Sequence, residues 1–268
     1  MKVMIICAIA LAATPLHRQD PAEVNAYLAA LHAAHPDFLT RFKQIVADSA
    51  GTPYHDGPLG EGPGAPHDSD PLIDLTRVDC VTFVEQSAAL AWGRTFPDVT
   101  DKLQHIRYAG GQIDFGARHH FLVADWIPGN PWCREITGAL GIETATVTRT
   151  ISRAEFFRKV KAPEVGQDIP DRDVSVTYIP IGQAEQLART LDQPALIVFI
   201  GHVDWLFALH CGVFLPEGPG AGSLYHASSR EGKVVRMDLG AYAAEQANRY
   251  LGMAVYAIAP TGPGGAAE

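Results

Sequence analysis

Helix-like patterning fills the early chain and strand-like patterning the late chain, and this split limits the fold more than any other feature of the sequence. Asp20-Pro21-Ala22-Glu23 reads as a cap, a proline at the first helical position and an acid in the first turn, which predicts a helix to about Ala34. His35-Pro36 stops it, and Asp37 can cap a second helix that ends before Gly51. Val81, Val84, Ala88 and Ala91 recur at helical spacing between Cys80 and about Trp92. A polar, partly helical stretch continues to Tyr108. Strands are expected over His120 to Ile127, Thr144 to Ile151, Val174 to Ile181, Ala195 to Ile200, Leu206 to Leu215, Ser223 to Ser228, Val234 to Asp238 and Gly252 to Ala259. Short helices fit after Ser152, over Gln183 to Leu191 and over about Gly240 to Tyr250. Helices first and strands afterwards predict an α+β fold with an antiparallel sheet.

The chain has 268 residues, enough for one large domain with a full core. No repeat or linker divides it, so residues 13–260 are expected to form a single domain, with 13–50 as its helical N-terminal part. The tail at 261–268 is rich in Gly, Pro and Ala and reads as disordered. Lys2 followed by the apolar run Val3 to Ala13 is too short to span a bilayer and matches an export signal. Ala10-Leu11-Ala12 fits the cleavage rule, giving a signal at 1–12 and no integral membrane segment in the mature chain. Periplasmic or extracellular localisation follows as an expectation. A net charge of −9 argues against nucleic acid as a partner, because phosphate binding needs clustered Lys and Arg. Beyond the signal, Cys80, Cys133 and Cys211 remain. An odd number leaves at least one thiol free or paired with another chain. Whether Cys133 and Cys211 form a bridge is open at this level.

Cys80 opens the third helix, where unsatisfied N–H groups and the macrodipole favour a thiolate. A thiol nucleophile needs a base, and the base needs an orienting group. His210 and His226 flank a hairpin whose loop centres near Pro219. Symmetric pairing about that loop sets Gly212 opposite His226, so His210, Gly212 and His226 share one face and the imidazoles are diagonal neighbours. Cys211 then points to the other face. Tyr54, in the Gly51 to Asp70 loop before the cysteine helix, can donate to an oxyanion alongside the Cys80 N–H. Asp79 reads as the helix cap. Glu85 lies five residues on, about 140° around the helix, and reads as a structural anchor or substrate contact rather than a base. His119 and His120 would point to opposite faces of a strand, which supports no shared metal. No H-E-x-x-H, paired C-x-x-C, G-x-S-x-G or dinucleotide fingerprint occurs, so neither a metal nor a cofactor is expected.

These residues resemble the papain-like cysteine hydrolases of bacterial cell walls, the NlpC type. The matching elements are Pro53-Tyr54, Asp79-Cys80, His210-Cys211-Gly212-Val213 and His226-Ala227-Ser228. The longer match is to a branch resembling N-acetylmuramoyl-L-alanine amidases, through Asp79 to Glu85, Asp125-Trp126, and His226 to Ser229 leading to Val234-Val235. The resemblance spans about Gly51 to Pro260. It implies a papain-like core with the cysteine helix packed on the antiparallel sheet. It assigns Cys80 as nucleophile, His210 as base and His226 as orienter, the same roles the residues suggest on their own. It further implies amide hydrolysis of peptidoglycan fragments through a thioester. The Gly51 to Asp70 loop and Asp125-Trp126 are expected to line the cleft. Cys211 beside the base and the Gly/Pro-rich Gly57 to Pro66 depart from the pattern. Two rival enzymes keep the same triad: a D-Glu to diamino-acid endopeptidase, and a lipid amidase or acyltransferase. A non-catalytic wall-binding module is the rival of another class, and the intact Cys80, His210 and His226 argue against it.

Overall fold

The computed structural model of the protein describes residues 14–166, 168–260 and 262. The expected export signal, and the expected disordered tail apart from Gly262, lie outside the described residues.

Four helices come first: α1 (Pro21–Ala34), α2 (Phe38–Asp48), α3 (Cys80–Trp92) and α4 (Phe96–Arg107). Their starts follow from their caps. The Asp20 carboxylate accepts from the Ala22 and Glu23 amides while Glu23 returns to the Asp20 amide, a reciprocal capping box. Asp37 accepts from the Thr40 amide. Helix α3 is buried almost all round, between α2, α4 and the sheet, so that even its Glu85, Gln86 and Ser87 lie inside. Phe38 stacks on Trp92 with ring centroids 4.2 Å apart. No helix of the described residues is long and apolar enough to cross a membrane.

Among the described residues the sheet has eight strands, β1 (Cys133–Glu135), β2 (Ala145–Ile151), β3 (Arg172–Pro180), β4 (Ala195–Gly201), β5 (Ala208–Gly218), β6 (Ala221–Ser228), β7 (Lys233–Met237) and β8 (Tyr250–Ile258). They run in the order β2-β3-β8-β4-β5-β6-β7, with β1 beside β8, and every pairing is antiparallel. The expected α+β class is therefore what forms. Strand β8 follows every other strand in the sequence yet lies between β3 and β4. On β4, Leu196, Val198 and Ile200 face the core shared with α1 to α4. Ile197 and Phe199 face a second core. That side is covered by α7 (Ala184–Thr190) and α8 (Leu239–Glu245). Both faces are covered, so β4 reads as a continuous apolar run.

The expected strand from His120 to Ile127 does not form. Leu122–Trp126 is a π-helical turn that runs into a single α-helical turn, α5 (Ile127–Gly129). Leu122, Ala124 and Trp126 are buried and alternate as strand residues would. The backbone instead closes on itself, with the Asp125 and Trp126 amides both bonded to the Phe121 carbonyl. Asp125 is held by Arg153 at the start of α6 (Arg153–Lys159), and by Arg172 on β3, which also bonds the Ala124 carbonyl. Strand β1 is too short to announce itself by periodicity.

The 51–70 loop is ordered. The Gly51 amide bonds the Val234 carbonyl, Tyr54 bonds Gly232, and Val78 returns to Pro53, so this segment continues the sheet beyond β7. Gly60 passes so close to Asp68 that an added Cβ would lie 2.3 Å from its carboxylate. The loop thus arrives beside Cys80 from a fixed direction.

Candidate active site

Three elements converge: the start of α3, the early part of β5 and the end of β6. Asp79 caps α3, its Oδ1 accepting from the Val81 amide at 2.9 Å and the Thr82 amide at 2.7 Å. The Asp79 amide in turn donates to the Thr82 hydroxyl, which completes a capping box. The cap leaves the Cys80 amide unengaged at the first helical position. Burial, and then the Cys80 charge beside it, push the Asp79 carboxyl up to about 6.

Inside the register shift next to the Gly218–Ala221 pair, the β5–β6 ladder runs from Pro216–Gly222 to Val213–Tyr225, symmetric about Pro219 as the hairpin reading required. His210 and His226 lie just past its last pair. His210 Nε2 sits 2.8 Å from His226 Nδ1, with the rings edge-on. A bulge at Leu209, between the Phe199–His210 and Ile200–Ala208 pairs, turns the start of β5. Gly212 supplies the room between the imidazoles. A Cβ there would fall 2.9 Å from the His226 Cβ and 2.8 Å from the Tyr225 carbonyl oxygen.

The proton positions follow from the partners. His226 is 2% exposed, and burial, followed by the neighbouring His210, pushes it down to about 3, so it is neutral. Its Nε2 faces the Met237 sulfur at 3.2 Å. With the His226 proton on Nε2, Nδ1 is an acceptor and takes the His210 Nε2–H. His210 Nδ1 is then the ring nitrogen left to exchange a proton with Cys80. Cys80 is held well below the usual thiol range. The Cys211 thiol donating to it is the largest cause; burial opposes, and His210 adds a hydrogen bond and its charge. The Cys211 thiol also reaches the Cys80 carbonyl oxygen at 3.1 Å. Cys211 is pushed well up, by its bond to Cys80 and then by burial. Cys80, Cys133 and Cys211 are all free thiols, which answers the question of a Cys133–Cys211 bridge.

A cleft of about 600 Å³ opens on one side of Cys80, lined by Tyr54, His210, His226, Arg230, Glu245 and Arg249 among others. The Tyr54 phenol is pushed up to about 12, chiefly by burial and then by the Asp56 charge, so it stays protonated. A second cleft of about 300 Å³ lies on the other side of Cys80 and His210, lined by Leu59, Arg118, His119, His120 and Trp126. Burial pushes His120 down to about 4. His119 and His120 precede the π-helical turn, and among the described residues no three His, Cys, Asp or Glu side chains are grouped to hold a metal ion.

The expected residues therefore separate. Cys80, His210, His226, Tyr54 and Asp79 meet at one cleft. Glu85 is 3% exposed and is an anchor: it accepts from Arg107 at 2.7 Å and from the Trp126 indole at 2.9 Å. Trp126 lines the second cleft, whereas Asp125, expected beside it, is turned onto Arg153 and Arg172 and lines neither cleft. Two neighbours escaped sequence reasoning. Met237 was recoverable, because β6 pairs His226 with Val235 and period two places Met237 on the same face. Tyr242 packs its ring 4.8 Å from His226 and bonds the Tyr250 hydroxyl at 3.1 Å. It comes from α8, and no local pattern links it to the histidines.

The architecture is shared with solved proteins. A Legionella pneumophila protein of the DUF1460 family superposes with a TM-score of 0.76 at 21% identity, covering 91% of this chain and 98% of that one. A Bacteroides uniformis N-acetylmuramoyl-L-alanine amidase superposes with a TM-score of 0.64 at 22% identity, covering 83% of this chain and 99% of that one. No curated protein matches the sequence. The model of the AmiA-like, N-acetylmuramoyl-L-alanine amidase-like family matches residues 44–251, well over half of the chain and the whole span from the loop through the cysteine helix to both histidine strands, and the protein belongs to that family.

Proposed function

We propose that the protein is an exported papain-like cysteine amidase of the NlpC type that releases stem peptides from peptidoglycan fragments by cutting the lactyl–L-Ala amide. The observation that carries this reading is the relay from the helix-start thiol of Cys80 to His210, whose Nε2 is 2.8 Å from a neutral His226. Family membership supports the amidase activity. The Cys80 thiolate attacks the amide carbonyl. The oxyanion is met by the unengaged Cys80 amide and by the protonated Tyr54 hydroxyl. His210 delivers the thiol proton to the departing L-Ala nitrogen and leaves a lactyl thioester on Cys80. It then removes a proton from the water that hydrolyses the thioester. Arg230, Glu231, Arg236, Glu245 and Arg249 give the larger cleft both signs of charge, as a stem with carboxylates and an amine requires.

Incubation of the pure protein with defined muropeptides, followed by mass spectrometry, tests the bond. Free stem peptide plus intact sugar is expected. Fragments cut inside the stem would replace this reading with the endopeptidase. No cleavage of any muropeptide would point to a lipid or another amide.

The two histidines should differ in effect. His210→Ala removes the base and should lower kcat by about three orders of magnitude, whereas His226→Ala removes only the group that fixes its tautomer and should cost about tenfold to a hundredfold. Steady-state kinetics, with circular dichroism to check folding, measures both; a larger loss at His226 reverses the assignment.

A further inference from the structure

We propose that Cys80 and Cys211 form a site of reversible oxidative modification, in which Cys211 is the resolving thiol that protects Cys80 from irreversible oxidation by peroxide. The inference builds on Cys80 as the reactive thiol but not on which amide is cut. Cys211 sits one residue beyond His210 on β5 and faces the side of the sheet that carries α3. Its thiol donates to the Cys80 carbonyl oxygen at 3.1 Å, so the Cys211 sulfur already lies against Cys80. Accessibility divides their roles. Cys80 lines both clefts, whereas Cys211 is 0% exposed and opens to neither. Peroxide therefore meets Cys80 alone. Cys133, the remaining described cysteine, is buried on β1 at the β8 side of the sheet.

The chemistry balances. The Cys80 thiolate attacks hydrogen peroxide, the O–O bond breaks, and with one proton taken up the products are the Cys80 sulfenic acid and water. Conversion to sulfenic acid removes the negative charge that holds the Cys211 proton in place. The Cys211 sulfur then attacks the sulfenic sulfur, the S–O bond breaks, and the Cys211 proton leaves with the hydroxide as a second water. The product is a Cys80–Cys211 disulfide. It blocks the nucleophile, yet a dithiol can restore it. Without Cys211, a second peroxide would carry Cys80 to sulfinic acid, which thiols do not reduce.

The test treats the full chain with a few equivalents of hydrogen peroxide, alkylates it under denaturing conditions and maps the peptides by mass. Muropeptide hydrolysis is followed before and after dithiothreitol. Expected for the natural protein are a cross-linked Cys80–Cys211 peptide lacking two hydrogens, loss of nearly all activity, and its recovery on reduction. Cys211→Ser should instead gain two oxygens on Cys80 and stay inactive after dithiothreitol; Cys211→Ala serves if the serine variant does not fold. Natural protein that reaches sulfinic acid at Cys80 while Cys211 remains alkylatable would overturn the proposal, as would a cross-link from Cys80 to Cys133. The cross-link is read by mass whether or not any muropeptide is cut, so the failure of this inference and the failure of the amidase reading are distinguishable.

Discussion

Cys80→Ala should abolish hydrolysis, with a loss of at least about three orders of magnitude in kcat, while the protein keeps its fold. The substitution removes the sulfur but leaves the Asp79 cap, whose bonds go to the backbone amides of Val81 and Thr82. Alanine is also the strongest helix former, so the first turn of α3 should be unharmed. His210 and His226 keep their mutual bond, because neither depends on the thiol for its place in the sheet. Paired measurements of hydrolysis and thermal unfolding check both halves of the expectation. Activity near the natural level in a folded Cys80→Ala protein would end the nucleophile assignment, since no other described thiol lines the cleft.

The second large effect is on stability and centres on Glu85. Its carboxylate lies between the Arg107 guanidinium on α4 and the Trp126 indole. Arg107 continues to the Leu59 carbonyl at 3.0 Å, and Tyr108 reaches the Gly60 carbonyl at 3.0 Å. One buried ion pair thus joins α3, α4, the π-helical turn and the loop that carries Tyr54. Arg107→Met strands the Glu85 charge in the interior, and the expected cost is about 3–5 kcal/mol. The double change Glu85→Leu/Arg107→Met removes both charges and should recover most of that loss. Full recovery is not expected, because the Trp126 N–H loses its acceptor, at about 1–3 kcal/mol. Urea midpoints of the three proteins decide the matter: a single variant within about 1 kcal/mol of the natural protein would show that the pair is not what joins these elements.

How much of this was legible in the sequence depended on whether the determining signal was local. The α1, α2 and α3 boundaries were readable because Asp20, Asp37 and Asp79 are caps that act within three residues. The His210–His226 face match was readable because hairpin symmetry and period two fix it once the loop is located. The π-helical turn was not. Leu122, Ala124 and Trp126 alternate like a strand, and what decides against a strand is the grip of Arg153 and Arg172 on Asp125 from elements far along the chain. Glu85 could be placed on the helix but not paired, because Arg107 meets it through tertiary packing. Tyr242 stayed hidden for the same reason.

The position of β8 sets the order in which such a molecule can be completed. Strands β3 and β4 both present an edge to β8, the last of the described strands in chain order. Until it inserts, β2–β3 and β4–β7 are separate pieces and β1 has no partner, each with a bare row of amides and carbonyls open to wrong partners. The helices around Cys80 can form early from local contacts, but β5 and β6, which carry the histidines, belong to a half-sheet still lacking its neighbour. Pairings this distant in sequence close slowly. Assembly of the relay is therefore expected as a late event of folding, and an incompletely made chain is a candidate for aggregation before it is a candidate for catalysis.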